Sequence, residues 1–391
     1  MILSKRIQTL SPSLTIAITT MARELKDEGK DILSFSAGEP DFGTPMAIKE
    51  EAIKAIKAGF TQYTAVPGTP ELLQAVSDKL KRDNNLEYKP NQIIVSNGAK
   101  HSLFNLFQAL IDDGDEVIIP APYWVTYPEL VKYSGGVPVV IHTDDMTSFK
   151  ITPEQLRNAI TPRTKMLIIT TPSNPSGSVY SREELKALGE VLKGTDIVIA
   201  SDEMYEKLVF GTTEFTATAS VSPDMFQRTV TINGLSKSVA MTGWRIGYLA
   251  SPNDELISVM NKLQSQSTSN INSITQKAAL PALNGAVDED IETMRRAFEG
   301  RAEEAYELMN EIAGISVIRP QGAFYLFVNI KDVTDDSIEF CKDLLRETGV
   351  AVVPGIGFGS EGYFRFSYAT DMVTIREGIR RIKKFVDNLR A

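Results

Sequence analysis

Cysteine, histidine and tryptophan are nearly missing from this 391-residue chain, which holds one Cys, two His and two Trp. The single cysteine, Cys341, excludes an intramolecular disulfide and suits a reducing cytoplasm, where the protein is expected to act. It follows Phe340 in a helical run and reads as a small buried hydrophobe rather than a nucleophile. His101 and His142 belong to no ligand-spaced cluster, so no metal site is expected. His101, beside Lys100, reads by default as a helix-surface residue, with a place in the pocket lining as the alternative. No long uninterrupted apolar run is present, which excludes a membrane-spanning helix. The basic start of MILSKRIQTLSPSLTIAITTMARELK lacks the apolar stretch and cleavage site of a secretory signal. No G-x-G-x-x-G opens a helix after a strand, as a dinucleotide site requires, and the P-loop lysine pattern does not occur. Positive charge is also short: 41 Lys and Arg against 50 Asp and Glu leave −9. That balance argues against a nucleic-acid surface but leaves room for a local cationic pocket.

What is present is an alternation of helix and strand signals. A hydrophobic content of 42% and this length suffice to bury a core without staples, and suit two domains or equally one large α/β domain carrying a smaller one. Residues 15–26 and 46–58 read as helices, the second with Ile48, Ala52, Ile53 and Ile56 at helical spacing. Thr69-Pro70-Glu71 resembles a helix start with Pro at its first position. Strand-length runs rich in Val and Ile follow at 92–96, 116–120, 137–141, 165–170, 196–201 and 229–233. Most are separated by helical stretches, at 102–110, 153–160 and 181–192. This pattern predicts an α/β fold with a mostly parallel central sheet between helices, which binds ligands at the carboxyl ends of its strands. From about residue 290 a long charged helix, short strands and FRFSY suggest a smaller α+β domain. The expected division is 1–45 as an N-terminal arm and part of the small domain, 46–290 as a large cofactor-binding domain, and 291–391 as the small domain.

The chemistry concentrates in TINGLSKSVAMTGWRIGYLASP (231–252). A lysine at a strand end, Lys237, among small and apolar residues, is placed where burial would lower its pKa and leave a neutral amine. Arg245 adds a fork-shaped cation suited to phosphate. Alone, one Lys and one Arg are most often solvated surface charges. Here they stand in a longer series, SAGEPDF, YTAVPGTPEL, PYWVTYPE, PSNPSG, SDEMYEKL, SKSVAMTGWRIGY and FRFSYA. Across nearly the whole chain this series resembles the class I aminotransferases of pyridoxal-phosphate fold type I, particularly the bacterial and plastid branch of aspartate aminotransferases.

The resemblance implies pyridoxal 5′-phosphate as cofactor and Lys237 as the Schiff-base lysine and proton shuttle. Asp202 matches the partner of the pyridine nitrogen; a helix cap is its structural alternative, with Glu203 as the better capping candidate. Tyr205 and Asn174 match donors to the cofactor's phenolic oxygen, although Asn174 also suits the turn it occupies. Gly98 and Ala99, opening a helix after a strand, together with Arg245 match the phosphate site. Ser236 is a further candidate there, because Gly234 stands where some relatives carry a phosphate-binding Ser. Tyr63 matches a tyrosine that reaches the phosphate of the other subunit, implying a homodimer. Trp124 matches the aromatic stacked on the ring, though a bare Trp is more often core. For substrate, Arg365 matches the two-pronged partner of the α-carboxylate, with Gly38, Asn174 and Trp124 close by.

Lys100 occupies the place of a lysine that meets the distal carboxylate of a dicarboxylic substrate. A cation at a helix N-terminus is locally unfavourable unless it serves an anion. Thr15 matches a position lining the same distal pocket. Relatives with this Thr and Lys pair include some that transaminate prephenate, and many of those carry a basic residue where this chain has Ser11, before Pro12-Ser13. The implied reaction is ping-pong transfer from L-aspartate to 2-oxoglutarate, with other small amino and 2-oxo acids as related substrates. A prephenate, aromatic or broad-specificity aminotransferase is the alternative within the class, and a C–S lyase the alternative outside it.

Overall fold

The computed structural model describes residues 3–12 and 14–391, with the side chain of Thr15 outside the description. Helix α1 (Leu14–Asp27) leads to the short strand β1 (Leu33–Ser34), then to α2 (Met46–Lys57) and α3 (Pro70–Asn84). Helix α3 begins where the Thr-Pro-Glu signal places it, with Thr69 Oγ1 accepting the Leu72 amide at 3.3 Å. Helix α2 departs from the expected face. Ile48, Ala52 and Ala55 are buried, whereas Ile53 and Ile56 are 49% and 55% exposed. The buried stripe runs i, i+4, i+7, and both isoleucines lie one position past it, on a side that this chain does not cover.

The alternating stretch comprises β2 (Ile93–Ser96), α4 (Ala99–Leu110), β3 (Glu116–Ala121), α5 (Thr126–Tyr133), β4 (Val137–His142) and α6 (Pro153–Ala159). It continues through β5 (Thr164–Thr170), α7 (Arg182–Leu192), β6 (Val198–Asp202), α8 (Pro223–Arg228), β7 (Thr229–Gly234), β8 (Gly247–Ala250) and α9 (Asp254–Ser267). These strands form one sheet in the order β2-β8-β7-β6-β5-β3-β4, parallel except around β8, which is antiparallel to both neighbours. The Val and Ile runs have a direct cause. Val117, Ile119, Met166 and Ile168 join the core on one face, while Ile118, Leu167 and Ile169 fill that on the other. A sheet covered on both sides needs apolar residues at every position, not at alternate ones.

Helices α10 (Ser273–Ala278), α11 (Leu280–Leu283) and α12 (Asp288–Asn310) carry the chain into the second region. There β9 (Ser316–Val317), β10 (Tyr325–Asn329), α13 (Ser337–Thr348), β11 (Val350–Ala351), β12 (Val353–Pro354), β13 (Tyr363–Ser367) and α14 (Met372–Arg390) follow. A four-stranded antiparallel sheet, β12-β13-β10-β9, is its centre. The beginning of the chain joins this region: β1 pairs in parallel with β11, and Ile18 and Ala22 pack with Leu345 and Ala351. Cys341 is fully buried on α13 and free. No helix among the described residues is long and apolar enough to cross a membrane.

Candidate active site

The parallel strands end on one edge, where a cavity of 720 Å³ opens. Trp124 enters it from the loop after β3, Asn174 from the loop after β5, and Asp202 and Tyr205 from the end of β6. Ser236 and Lys237 follow β7, and Arg245 precedes β8. Ala99 and Lys100 arrive on the first turn of α4, Gly38 follows β1, and Arg365 reaches across from β13. Sequence candidates separated by more than three hundred residues therefore share one cavity. Three do not line it within the description. Gly98 lies just behind the wall, ahead of Ala99. Tyr63 is 91% exposed on its own chain, and the side chain of Thr15 lies outside the described residues, although its neighbours Leu14 and Ile16 border the cavity.

Burial sets the charge states. It lowers the Lys237 pKa to about 8, helped by Arg365 and Arg245 and opposed by Glu39. The Lys237 amine donates to the Gly38 carbonyl. Burial also raises the Asp202 carboxyl, while a 2.6 Å hydrogen bond from Tyr127 Oη to its Oδ2 acts the other way. The Met204 amide donates to Asp202 Oδ1 at 3.3 Å. Glu203 is not a helix cap, because the chain after β6 makes turns instead of a helix. It is buried, accepts from Ser201 Oγ and the Thr218 amide, and is pushed up to about 8 by that burial. Tyr205 Oη lies 2.9 Å from Tyr325 Oη, and desolvation holds its phenol well above the ordinary range.

An anion cradle lies at the α4 end. No side chain caps this helix, whose preceding residue Gly98 has φ 84, so first-turn amides remain for a ligand. Gln264 fixes the approach: its Oε1 accepts from Ser96 Oγ and Asn105 Nδ2, and its Nε2 donates to the Val66 and Val95 carbonyls. His101 is half-buried rather than on the helix surface, and its Nδ1 accepts the Asn97 amide at 3.2 Å. A Cβ at Gly98 would lie 2.5 Å from Arg245 Nη2, so glycine lets the guanidinium close on the loop. Arg245 donates to the Thr242 carbonyl at 2.8 Å and sits in the left-handed region at φ 56, a strained backbone of the kind that clusters at functional sites. A side chain at Gly234 would meet the Ile246 carbonyl at 2.9 Å, which explains why no serine stands there. Ser236 is buried at the cavity wall instead.

Cations stand at separate places in the cavity. Arg365 is buried, donating from Nη1 to Asn174 Oδ1 at 3.0 Å and from Nη2 to the Ser36 carbonyl at 2.8 Å. Its Nε is buried without a hydrogen-bond partner, a costly state that a ligand oxygen would relieve. Lys100 Nζ lies 4.8 Å from the Trp124 ring centre, and burial followed by Arg245 lowers its pKa. Over the entrance, the Ser11 amide donates to Glu129 Oε2 at 2.6 Å. Sequence reasoning missed Tyr325, Tyr127 and Thr170. Tyr127 had a signal, three residues after Trp124 in the same string; Tyr325 had none beyond its place in GAFYLFV. Among the described residues no group of His, Cys, Asp or Glu is arranged to hold a metal ion.

Known proteins of one family resemble the chain along nearly its whole length. Residues 30–382 match the family described as aminotransferase class I and II. The aspartate aminotransferase of Bacillus subtilis is 51% identical over 390 residues, covering 98% of this chain and 99% of that protein. The aspartate/prephenate aminotransferase of Nitrosomonas europaea is 50% identical over 393 residues, covering 97% and 98%. Among solved structures, the aspartate aminotransferase from Rhizobium meliloti superposes with a TM-score of 0.96 at 41% identity, over 99% of each chain. That from Thermus thermophilus with maleate gives 0.94 at 41% identity, over 98% of this chain and 99% of the other.

Proposed function

The chain belongs to the aminotransferase class I and II family, and on that premise we propose that it moves the amino group of L-aspartate to 2-oxoglutarate with pyridoxal 5′-phosphate as cofactor. One observation carries the reading: a lysine brought to a pKa of about 8 shares a cavity with a buried carboxylate and two separated cations, Arg365 and Lys100. The residues present fit the cofactor. The uncapped α4 turn at Gly98 and Ala99, with Arg245 closed upon it, suits a phosphate. Buried Asp202 suits a protonated ring nitrogen, and Lys237 would hold the aldehyde carbon, with Trp124, Asn174, Tyr205 and Ser236 around the ring.

When bound, the cofactor supplies a ring that takes up the electron pair left when a bond to the substrate Cα breaks. Arg365 grips the α-carboxylate, with Asn174 and Gly38 beside it, and its unpartnered Nε marks the place for an oxygen. Lys100 takes the distal carboxylate, and Thr15 is assigned to the same pocket. The structure of the Thermus thermophilus relative with maleate, a four-carbon dicarboxylate, supports this division. Lys237 would take a proton from the substrate Cα as a neutral amine and give it back as an ammonium. A pKa of about 8 suits both directions of that transfer.

On this reading the active unit is a homodimer in the cytoplasm, with Tyr63 reaching the neighbouring site. Its exposure on its own chain, and the uncovered Ile53 and Ile56 of α2, support the pairing. We take residues 46–290 as the cofactor-binding domain and 1–45 with 291–391 as the smaller one, the passage between them falling within α12.

The test is the visible absorbance of the cofactor-loaded protein after adding L-aspartate without an oxo acid. The band is expected to convert, and 2-oxoglutarate to restore it. Conversion by another amino acid but not by aspartate would overturn the substrate assignment, and sustained release of pyruvate and ammonia would overturn amino transfer. The name of the Nitrosomonas europaea relative favours prephenate as a second acceptor, and restoration of the band by prephenate would establish that.

A further inference from the structure

Asp202 is the last residue of β6 and pairs directly with Thr170, the last residue of β5. Tyr127, on the first turn of α5, stands over this pair. Its Oη is 2.6 Å from Asp202 Oδ2 and 2.8 Å from Thr170 Oγ1. Tyr127 is 1% exposed and Asp202 6%, so water does not compete for either bond. The same turn of chain presents Trp124 to the cavity, its ring 5.5 Å from that of Tyr127 and nearly perpendicular to it at 84°.

Donor and acceptor chemistry fixes the direction of this chain. An ionised carboxylate has no proton to give, so the Tyr127 hydroxyl must donate to Asp202. Its one proton is then committed, and the Thr170 hydroxyl must donate to Tyr127. Reversing either bond requires a protonated Asp202. Desolvation holds the Tyr127 phenol well above its ordinary range, so the donor is retained across the working pH.

We propose that Thr170 and Tyr127 form a one-way hydrogen-bond chain that holds Asp202 ionised and oriented, making Tyr127 a positioning residue for the cofactor's ring nitrogen. Tyr127 occupies Oδ2, and Oδ1 receives only the long 3.3 Å bond from the Met204 amide, so a second accepting oxygen is kept for the ligand. The inference rests on the cofactor assignment made for Asp202 above.

The experiment titrates the apoprotein with pyridoxal 5′-phosphate and reads binding by tryptophan fluorescence, independently of turnover. Removing one hydrogen bond to a buried carboxylate predicts that Tyr127→Phe weakens binding about ten-fold or more. Thr170→Val is expected to weaken it by a smaller factor, and to add nothing in the Tyr127→Phe background. The visible band of the loaded protein supplies a second readout. Its pH midpoint is expected to rise in Tyr127→Phe, because a less ionised Asp202 would no longer keep the ring nitrogen protonated, and that removes a positive charge from the ring joined to the Lys237 nitrogen. Glu39, Arg245 and Arg365, the other charged groups facing Lys237, are the same in every variant.

Unchanged affinity and midpoint in Tyr127→Phe, with affinity lost in Asp202→Asn, would overturn the proposal and leave the cofactor reading standing. Full affinity in Asp202→Asn would overturn that reading itself. An equal cost of Thr170→Val in both backgrounds would refute the one-way chain. Should Tyr127→Phe fail to fold, Thr170→Val decides alone: lowered affinity with a raised midpoint supports the chain, and wild-type values overturn it.

Discussion

Adding one methyl group at Gly247 should damage the cofactor site and the fold together. Gly247 opens β8, facing Ser96 on β2 and Gly234 on β7. A Cβ there would lie 2.3 Å from the Ala99 amide nitrogen, 2.6 Å from the Gly98 carbonyl carbon and 2.9 Å from Ala99 Cα. All three are backbone atoms at the start of α4, so no side-chain rotation relieves the clash. Restoring ordinary contact distances requires the turn to retreat by roughly 1 Å. Overpacking of this kind costs about 1–3 kcal/mol, and rigid backbone partners favour the upper end. With an unfolding entropy of about 2.1 cal/mol/K per residue, a chain of this length loses roughly 4 °C in Tm for about 3 kcal/mol. The displaced turn is the uncapped one proposed to meet the cofactor's phosphate. Losing one charge-assisted bond there, about 1.5–3 kcal/mol, predicts at least about a ten-fold loss in affinity for pyridoxal 5′-phosphate. Calorimetry of apo Gly247→Ala and a fluorescence titration with the cofactor measure the two effects. Wild-type Tm and affinity would refute the reasoning, because the cradle would then not depend on close approach of β8 to α4.

The same substitution at Gly300 should act in the opposite sense. Gly300 lies inside α12, and a methyl group added there would meet nothing within 4 Å, so Gly300→Ala is expected to stabilise by about 1 kcal/mol; a lower Tm would contradict this. Lys237 has a folded pKa of about 8 against an ordinary 10.5, so the unfolded chain binds more protons between those values and apoprotein stability rises with pH across that window. Lys237→Met should therefore be more stable than wild type below pH 8 and lose its advantage towards pH 10.5, whereas a pH-independent difference in denaturant melts would refute the shift. Lys100→Ala should lower kcat/KM for aspartate by about 10- to 100-fold and hardly affect alanine or phenylalanine; equal losses for all three would assign Lys100 to the cofactor or the fold.

The sheet is legible in the sequence because its chemistry is local. Strands β3 and β5 are buried on both faces, and only uninterrupted apolar runs satisfy that, so Val117–Ile119 and Met166–Ile169 stand out. The antiparallel direction of β8 is not legible, since four residues of apolar strand carry no sign of which neighbour they oppose. The exposed Ile53 and Ile56 show the limit of helical spacing, which identifies apolar positions but not what covers them. At the site, Lys237, Asp202, Asn174 and Arg365 stand out through the strings around them. Tyr325 does not, because its link to Tyr205 exists only after two regions 120 residues apart have packed. Glu203 reads as a cap because Ser-Asp-Glu after a strand satisfies the rule for a helix start, and only the turns that follow β6 remove the helix.

A single physical cause, exclusion of water from the strand edge, produces the opposing shifts within this cavity. It pulls Lys237 and Lys100 down towards neutrality and pushes Asp202 up. Each shift is a penalty that the protein carries on its own, since every one disfavours the charged form. A ligand with a cationic nitrogen at Asp202, a phosphate at Arg245 and carboxylates at Arg365 and Lys100 would remove those penalties together, and would also partner the bare Arg365 Nε. Binding is therefore coupled to stability. A ligand at about one hundred times its dissociation constant adds roughly 2.7 kcal/mol to folding, comparable with the cost assigned to the Gly247 clash. The groups proposed to make the site reactive are thus the ones whose burial works against the apoprotein, so the same strand edge costs the fold stability and gains most from a ligand.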